Sequence, residues 1–477
     1  MVLLLPRYIV IKSCNWVNPP DGYLSYIREG GEADGYLRFM EPQLTSPYAK
    51  FEVETSKTEG VVHIRSCQNN KYWQRTDLPT VPSGPWIAAR SKEKEEDKSK
   101  EECTLFKFIP VDPAENTFRI MHVQSGSYVE SYGMDNPKFD HGLFSFYTYF
   151  NAAPSYVFKY FDWGMSVILP KHVAFKGPNN KYLCLYSDSM PKFGADDIGE
   201  PGVGFEIVPA NDGKIHIKSS ETGKFLRNDW WIWADVTSSD TADTLFRPLK
   251  FNDQKIALIS LSNNKFCQTF TADGYVNGLS ATATSATDET VMEVEERVLR
   301  REIYEVKYDV GNSRVYGEAV MVVAQNCASN ITEEPSALEV KFEYKETKTS
   351  SWKRDLSLKL GMKASVKFKV PLVLDGEVEV SSELQTGVEW GKEFENSIKQ
   401  ESLHKVIVPP MTKVTVNLVA SKALCDVPFT YKQRDVLYDG SSVLREVKGG
   451  TYVGSNYHRT KFTIKQEKLP PAPDTEH

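Results

Sequence analysis

The chain has no long apolar run. Its greasiest stretches fall far short of the roughly 20 residues that a membrane-crossing helix requires, so the pattern excludes a helical membrane protein. Positive charge is not in excess either. Lys and Arg number 57 against 64 Asp and Glu, a net charge of −7, which gives no broad basic surface and excludes nucleic acid as an expected partner. Cysteine is sparse, odd in number and scattered: Cys14, Cys67, Cys103, Cys184, Cys267, Cys327 and Cys425, with no CxxC pair. Reduced thiols are expected rather than a disulfide framework. The opening MVLLLPRYIVIKSC breaks its leucine run at Pro6 and Arg7 and has no small-residue cleavage site, so a cytoplasmic protein that acts on membranes after release is expected. Asn330 opens an Asn-Ile-Thr sequon, read as coincidence.

Catalytic signatures are missing as well. There is no HExxH, P-loop or GxSxG, and the glycines near 201–204 have no strand-to-helix context. The eight histidines show no ligand spacing; His63 and His216 occupy equivalent places in a repeat, where packing explains them better than a metal. No catalytic residue, cofactor or metal site is expected, and the chain is read as a non-enzyme.

What is present is repetition. VVHIRSCQNNKYWQR (61–75) aligns with KIHIKSSETGKFLRN (214–228), CTLFKFIPV (103–111) with DTLFRPLKF (243–251), and LPRYIVIKS (5–13) with LPKHVAFKG (169–177). Each copy repeats inside itself at about 40 residues: HVAFKGPNNKYLCL, KIHIKSSETGKFLR and KIALISLSNNKFCQ share an alternating strand, an Asn- or Gly-bearing turn and a second short strand. Three such units predict a β-trefoil, since a propeller needs more units to close. SKEKEEDKSKEE (91–102) reads as a solvated loop. Expected domains are a first trefoil over 1–150, a linker over 151–166 and a second trefoil over 167–296. An elongated antiparallel β module follows over 297–468, then a disordered tail over 469–477. The fold class is all-β.

The third domain contains LSLKLGMKASVKFKVPLVLDGEVEVSSELQTGVEW (356–390). Every even position from Leu356 to Leu374 is apolar, and the even positions continue Val378, Val380, Ser382, Leu384, Thr386, Val388 and Trp390. This parity survives Asp375-Gly376 while the polar face changes from lysine to glutamate, broken only near the tip by residues such as Val373. A three-residue loop over Asp375–Glu377 sets Lys369 opposite Glu383, Lys363 opposite Glu389, Phe368 opposite Leu384 and Val366 opposite Thr386, keeping both faces consistent. Ten residues at about 3.3 Å each give a strand of roughly 33 Å, long enough to cross a bilayer core. Only a closed barrel carries strands through lipid, so several copies would each supply two. Lys359, Lys363, Lys367, Lys369, Glu377, Glu379, Glu383 and Glu389 would then line the lumen. Leu358, Leu360, Val366, Phe368, Val370, Val378, Val380 and Leu384 would face lipid, and Leu372, Val373, Leu374, Asp375 and Gly376 would form the tip. The plainer reading is a half-buried sandwich hairpin.

With HKVIVPPMTKVTVNL (404–418) and DVPFTY (426–431), this region resembles the aerolysin-like β-pore-forming module over roughly 297–468. The resemblance implies an amphipathic segment packed along the soluble monomer that becomes a membrane hairpin after oligomerisation. The duplicated half resembles the agglutinin domain of amaranthin-like plant lectins, through KFEVETSKTEGVVHIRS (50–66), CTLFK (103–107), DWWIWAD (229–235) and DETVMEVEE (288–296). That resemblance implies β-trefoils and binding of galactose or N-acetylgalactosamine glycans at a shallow site between partnered subunits.

Sugars present hydroxyls around an apolar C–H face, so their sites combine an exposed aromatic ring with Asn or Asp. Asn228, Asp229, Trp230 and Trp231 supply this set in one expected loop. The equivalent SGPWIAAR keeps Trp86 without the polar anchors, and Asn70, Tyr72, Trp73 and Arg75 are weaker candidates. The alternative for Trp86 and Trp231 is trefoil core, and for the Asn-Asn-Lys turns hairpin geometry. Expected partners are glycans, further copies of the chain (a lectin dimer, a ring on the membrane) and a target membrane, in a defence role. The rival reading is a non-lytic lectin whose β module serves only for oligomerisation.

Overall fold

The computed structural model describes residues 4–20, 22–78, 84–150, 152–353, 365–389 and 393–470. Among these, helix is confined to three-residue 3-10 turns and everything else regular is strand. No helix among them is long and apolar enough to cross a membrane. The described chain separates into two compact units, one of residues 1–302 with 433–445, the other of the remaining C-terminal residues.

The first unit holds two 12-stranded sheets, one per repeat. In the first repeat six strands pair around a closed circuit: Tyr8–Ser13, Phe51–Thr55, Val62–Ser66, Phe106–Asp112, Thr117–His122 and Phe158–Asp162, the last returning to the first. The other six form three hairpins, Tyr23–Tyr26 with Leu37–Glu41, Lys71–Leu78 with Gly84–Ser91, and Glu130–Tyr132 with Gly142–Phe144. The second repeat has the same plan: a circuit of His172–Lys176, Phe205–Pro209, Ile215–Ser219, Phe246–Lys250, Lys255–Ser260 and Val291–Glu296, with hairpins at Tyr182–Ala195, Phe225–Val236 and Lys265–Ala283. Both are β-trefoils. Alternation explains the packing: in Thr117–His122 every second side chain is buried, and Phe118 and Ile120 join a core with Ile9, Phe51, Ile64, Trp73 and Phe106. Phe158–Asp162 lies inside the stretch expected to be linker. Without it the first barrel would lack its sixth strand, so the boundary expected at 150 is corrected.

The repeat also shows in side-chain chemistry. The first Asn of each Asn-Asn-Lys turn spans its hairpin. Asn69, Asn179 and Asn263 accept from the amide two residues on, at 3.0, 3.1 and 3.0 Å. Their Nδ2 atoms donate to the carbonyls of Ala89, Phe193 and Ala281 at 2.9, 3.0 and 2.9 Å. The second Asn (Asn70, Asn180, Asn264) takes the left-handed conformation that Asn tolerates. His63 and His216 likewise share their Nδ1 hydrogen bonds with Thr104 Oγ1 at 2.8 Å and Thr244 Oγ1 at 3.0 Å.

The second unit is built on strands of up to 27 residues. Two apolar clusters fill it, one around Val340, Phe342, Val414, Val416 and Leu418, the other around Trp352, Val427, Phe429, Tyr431 and Tyr452. The sequon asparagine Asn330 is buried in the turn after Arg314–Asn330, where its Nδ2 donates to Glu334 O at 2.7 Å and Val408 O at 3.0 Å. The thiols of Cys267 and Cys425 are pushed up to about 12 by burial.

Candidate functional site

Two features are candidates for function, an aromatic apex on the second trefoil and a hairpin in the C-terminal unit that forms its own two-stranded sheet. The apex is the tip of the hairpin of Phe225–Asp229 and Trp231–Val236, in which Asp229 pairs with Trp231 and Trp230 alone makes the turn. Trp230 has φ +68°, a conformation that costs a bulky L-residue energy and points to a constraint beyond folding. Its backbone is tied down: Ala281 N and Ser280 Oγ donate to its carbonyl at 3.1 and 3.0 Å. Its ring is 48% exposed and stands edge-on to Trp231 (5.3 Å) and Phe270 (6.1 Å). Trp231 is buried beneath it, with Phe270 and Tyr275 alongside at 5.8 and 5.4 Å. Gly278 explains why the ring fits, because a Cβ there would lie 2.9 Å from Trp231 Cζ3.

The surrounding charges are paired. Arg227 holds Asp235 with two bonds of 2.8 Å and Asp229 at 3.3 Å, and its guanidinium is held above its ordinary value by Asp235. Lys192 pairs with Asp188 and lies 5.5 Å from the Tyr275 ring centre. An exposed ring next to Asp229 offers a C–H face one stacking surface and its hydroxyls a carboxylate acceptor.

Of the predicted glycan residues, the structure brings Asp229 and Trp230 to this surface. Trp231 is floor rather than contact. Asn228 is buried, its Nδ2 shared between Ser260 Oγ (3.0 Å) and Ser262 Oγ (2.9 Å). The first-copy candidates are corrected more firmly. Trp73 and Trp86 are fully buried in apolar clusters, and a ring with no free face cannot stack on a sugar. Tyr72 is buried and donates to Glu54 at 3.0 Å. Asn70 is turn geometry, bonded by Arg65. Arg75 is half-buried, with Nε on Ser145 O at 3.1 Å.

The hairpin of Ser365–Leu374 and Glu377–Glu389 is a two-stranded sheet of its own, outside the six-stranded ladder. Its turn is the two residues Asp375 (φ +51°) and Gly376 (φ +88°), both left-handed as a tight hairpin turn requires. This corrects the expected three-residue loop, because Leu374 pairs with Glu377 and Val373 with Val378. Two irregularities follow, so that Lys369 faces Leu384 and Phe368 faces Gln385, and parity returns only at Val366 with Val388. The expected pairings of Lys369 with Glu383, Phe368 with Leu384 and Val366 with Thr386 are absent. Aspartate and glycine form the tighter turn without strain, and it shifts the register by one residue.

Val370, Val373 and Val378 are buried against Trp352, Phe429 and Tyr452. Val380 and Leu374 are exposed, Leu372 is half-buried, and Lys369, Glu377 and Glu379 point to solvent. The hairpin's ties to the strand Ser442–Lys468 are side chains. Asn456 bonds both the N and the O of Val373 at 2.8 Å, Tyr452 donates to Pro371 O at 3.0 Å, and Arg459 donates to Asp375 O at 2.6 Å. Leu358, Leu360, Lys359 and Lys363, and the side chains of Val366, Lys367, Phe368, Glu383, Leu384 and Glu389, lie outside the described residues. The signal that sequence reasoning missed was Asn456, one asparagine in a long strand with nothing nearby to mark it.

The sequence model of the Agglutinin domain matches residues 3–161 and 167–298, together more than half of the chain. The chain belongs to the Agglutinin domain family. Both agglutinin matches coincide with the two closed circuits of strands, and the first runs through Phe161 of the Phe158–Asp162 strand. A comparison with curated proteins finds no match. Among solved structures this agglutinin chain is similar to a lamprey immune protein at 12% identity and a TM-score of 0.29, over 74% of this chain and 87% of that one. It is similar to a mosquitocidal holotoxin at 9% and 0.30, over 64% and 36%. A third match is the designed threefold-symmetric ThreeFoil at 12% and 0.24, over 26% and 98%. At these scores none of the three bears on function.

Proposed function

We propose that this agglutinin is a lectin that captures galactose- or N-acetylgalactosamine-type glycans and then inserts a β-barrel into the membrane carrying them. Trp230 and Asp229 are the glycan contacts. The C-terminal unit is an aerolysin-like module over 297–468, and the 356–390 hairpins of several copies build the pore. Capture by weak sites on several copies raises the local concentration, so modest single-site affinity suffices. A plant-defence role fits this chemistry, with the chain kept in the cytoplasm until tissue damage releases it.

One observation carries the reading. Among the described residues the hairpin has no backbone ladder to the main sheet, and it is tied there by apolar contacts and a few side-chain bonds. A ribbon stored in this way can leave without breaking the fold beneath it, whereas a ladder strand could not. A specific observation favours the rival, a non-lytic lectin. The stored register sets Lys369 against Leu384, and that pairing must slip by one residue before one face is wholly polar.

Dye release from liposomes bearing galactose- or N-acetylgalactosamine-terminated glycolipid separates the two. The pore reading expects leakage from these liposomes and none from bare ones. A Val373→Cys/Asn456→Cys disulfide should stop leakage and spare glycan binding. Liposomes that stay sealed at every dose leave the non-lytic lectin, and a glycan array tests the sugar class.

A further inference from the structure

One edge of the main sheet in the C-terminal unit is open. The strand Glu393–Val408 pairs with Ser336–Lys353 on one side, and among the described residues no strand pairs with its other side. The pairing runs from Ser351 with Glu393 to Ser336 with Val408 without a bulge, so an unbroken row of N–H and C=O groups is left for a further strand. Proline, a bulge or a short length ordinarily blunts such an edge. Here proline appears only beyond the strand, at Pro409-Pro410, and Leu403 and Ile407 are 66% and 70% exposed along it.

Charge also blunts an edge, unless the incoming strand answers it. Glu395, Lys399, Glu401 and Lys405 all lie at odd positions on the exposed face of this strand. Antiparallel neighbours join outward-bonding residues to outward-bonding residues, so a second copy of the strand can oppose only residues of the same parity. With Gln400 opposite its own counterpart, Lys399 faces Glu401 and Glu395 faces Lys405, each twice by symmetry. One permitted step either way sets Lys399 opposite Lys399 or Glu401 opposite Glu401. A second step sets Glu395 opposite Glu401 or Lys399 opposite Lys405. Of these registers, all of which overlap most of the strand, only the first has no like charges opposed.

We infer that this edge is the contact of a twofold-symmetric dimer, two copies joined antiparallel through residues 394–406. The pairing extends an alternation already in the sheet. Lys341 bonds Glu401 at 3.1 Å and Glu339 bonds Lys405 at 3.2 Å, so one row reads Lys341, Glu401 and Lys399 of the second copy, and the next Glu339, Lys405 and Glu395 of the second copy. Cross-strand pairs of opposite charge stabilise a sheet and like charges oppose it, which makes the strand complementary to itself in one register. The strand Arg314–Asn330, which among the described residues pairs only with Thr412–Val436, fits less well as a partner. It carries no charge from 319 to 330 and would leave the four charges of the open edge largely unanswered. A contact of this symmetry closes at two copies, so the dimer is distinct from the several-copy barrel of the pore reading and does not rest on it.

The test is sedimentation equilibrium of the full chain in solution, without glycan or membrane. The parent chain should form a dimer at micromolar concentration. Lys399→Glu and Glu401→Lys each set like charges opposite at two symmetry-related places, and each should raise the dimer dissociation constant at least about tenfold. An equimolar mixture of the two variants should dimerise as the parent does, because each then meets the opposite charge in the other. Both side chains are exposed, and recovery on mixing cannot come from chains that fail to fold. The inference is overturned if the parent stays monomeric at high micromolar concentration, or if the mixture stays monomeric. A dimer that ignores both substitutions is held by another surface and overturns it equally. Liposome leakage reports the pore reading separately, so either can fail alone.

Discussion

Asn456 grips Val373 by both of its backbone polar groups, accepting from the amide and donating to the carbonyl at 2.8 Å each. One buried side chain stands in for a rung of β-ladder. Asn456→Ala leaves both backbone groups of Val373 buried and unpaired, a cost of about 1–3 kcal/mol for each group so stranded. The expected result is faster hydrogen exchange at the Val373 amide and leakage at lower dose from glycolipid liposomes. Protection at Val373 equal to that of the parent chain would show that the bonds do not hold the hairpin.

Trp230→Ala should lower affinity for galactose-type glycans at least about tenfold, the contribution of one well-placed ring. Trp230→Gly should lose binding equally but melt higher than the Ala variant. The left-handed backbone costs an L-residue about 1–2 kcal/mol and glycine nothing. Equal melting temperatures would mean that the positive φ stores no strain.

Gly278→Ala drives a methyl to 2.9 Å from a buried indole. Overpacking of this kind costs about 1–3 kcal/mol, and the shift of Trp231 should carry Trp230 with it. Weaker glycan binding together with a lower melting temperature is expected, and differential scanning calorimetry with a binding titration reads both.

Burial pushes His122 down to about 4 from an ordinary 6.5; it shares hydrogen bonds with Cys103 O at 3.0 Å and Ser125 Oγ at 2.9 Å. The unfolded chain takes a proton first as pH falls below 6.5. The stabilisation is therefore full above that value and lost on the way down to about 4, on the order of 3 kcal/mol in all. His122→Gln should flatten the acid limb of a stability–pH profile. An acid limb as steep as the parent's would place the effect on other groups.

The trefoils were legible because repetition reads every turn several times over. One Asn-Asn-Lys is ambiguous, but three at matching offsets mark hairpin ends, and the structure gives the first Asn of each the same two bonds. The first trefoil's closing strand was missed because FKYFD sits among aromatics that resemble a boundary, and only the need for a sixth barrel strand marks it. Trp73 and Trp86 misled for a physical reason. Ring chemistry is the same in a core and in a sugar site, and what separates them is a neighbour such as Gly142, distant in sequence. The hairpin's alternation was visible, but its register depends on a turn one residue tighter than assumed. The ties from Asn456, Tyr452 and Arg459 come from a strand some 80 residues away, beyond any local pattern.

Asn330 has a bearing on how the protein can be produced. Its amide nitrogen is committed to two carbonyls inside a closed turn, and attaching a branched sugar there would cost both bonds and the space around them. A secretory host would meet the Asn-Ile-Thr signal on the nascent polypeptide, before the turn closes, and could decorate it. Bacterial expression avoids this, and Thr332→Ala would remove the signal at the lesser expense of the hydroxyl's own bond to Asn330 Oδ1.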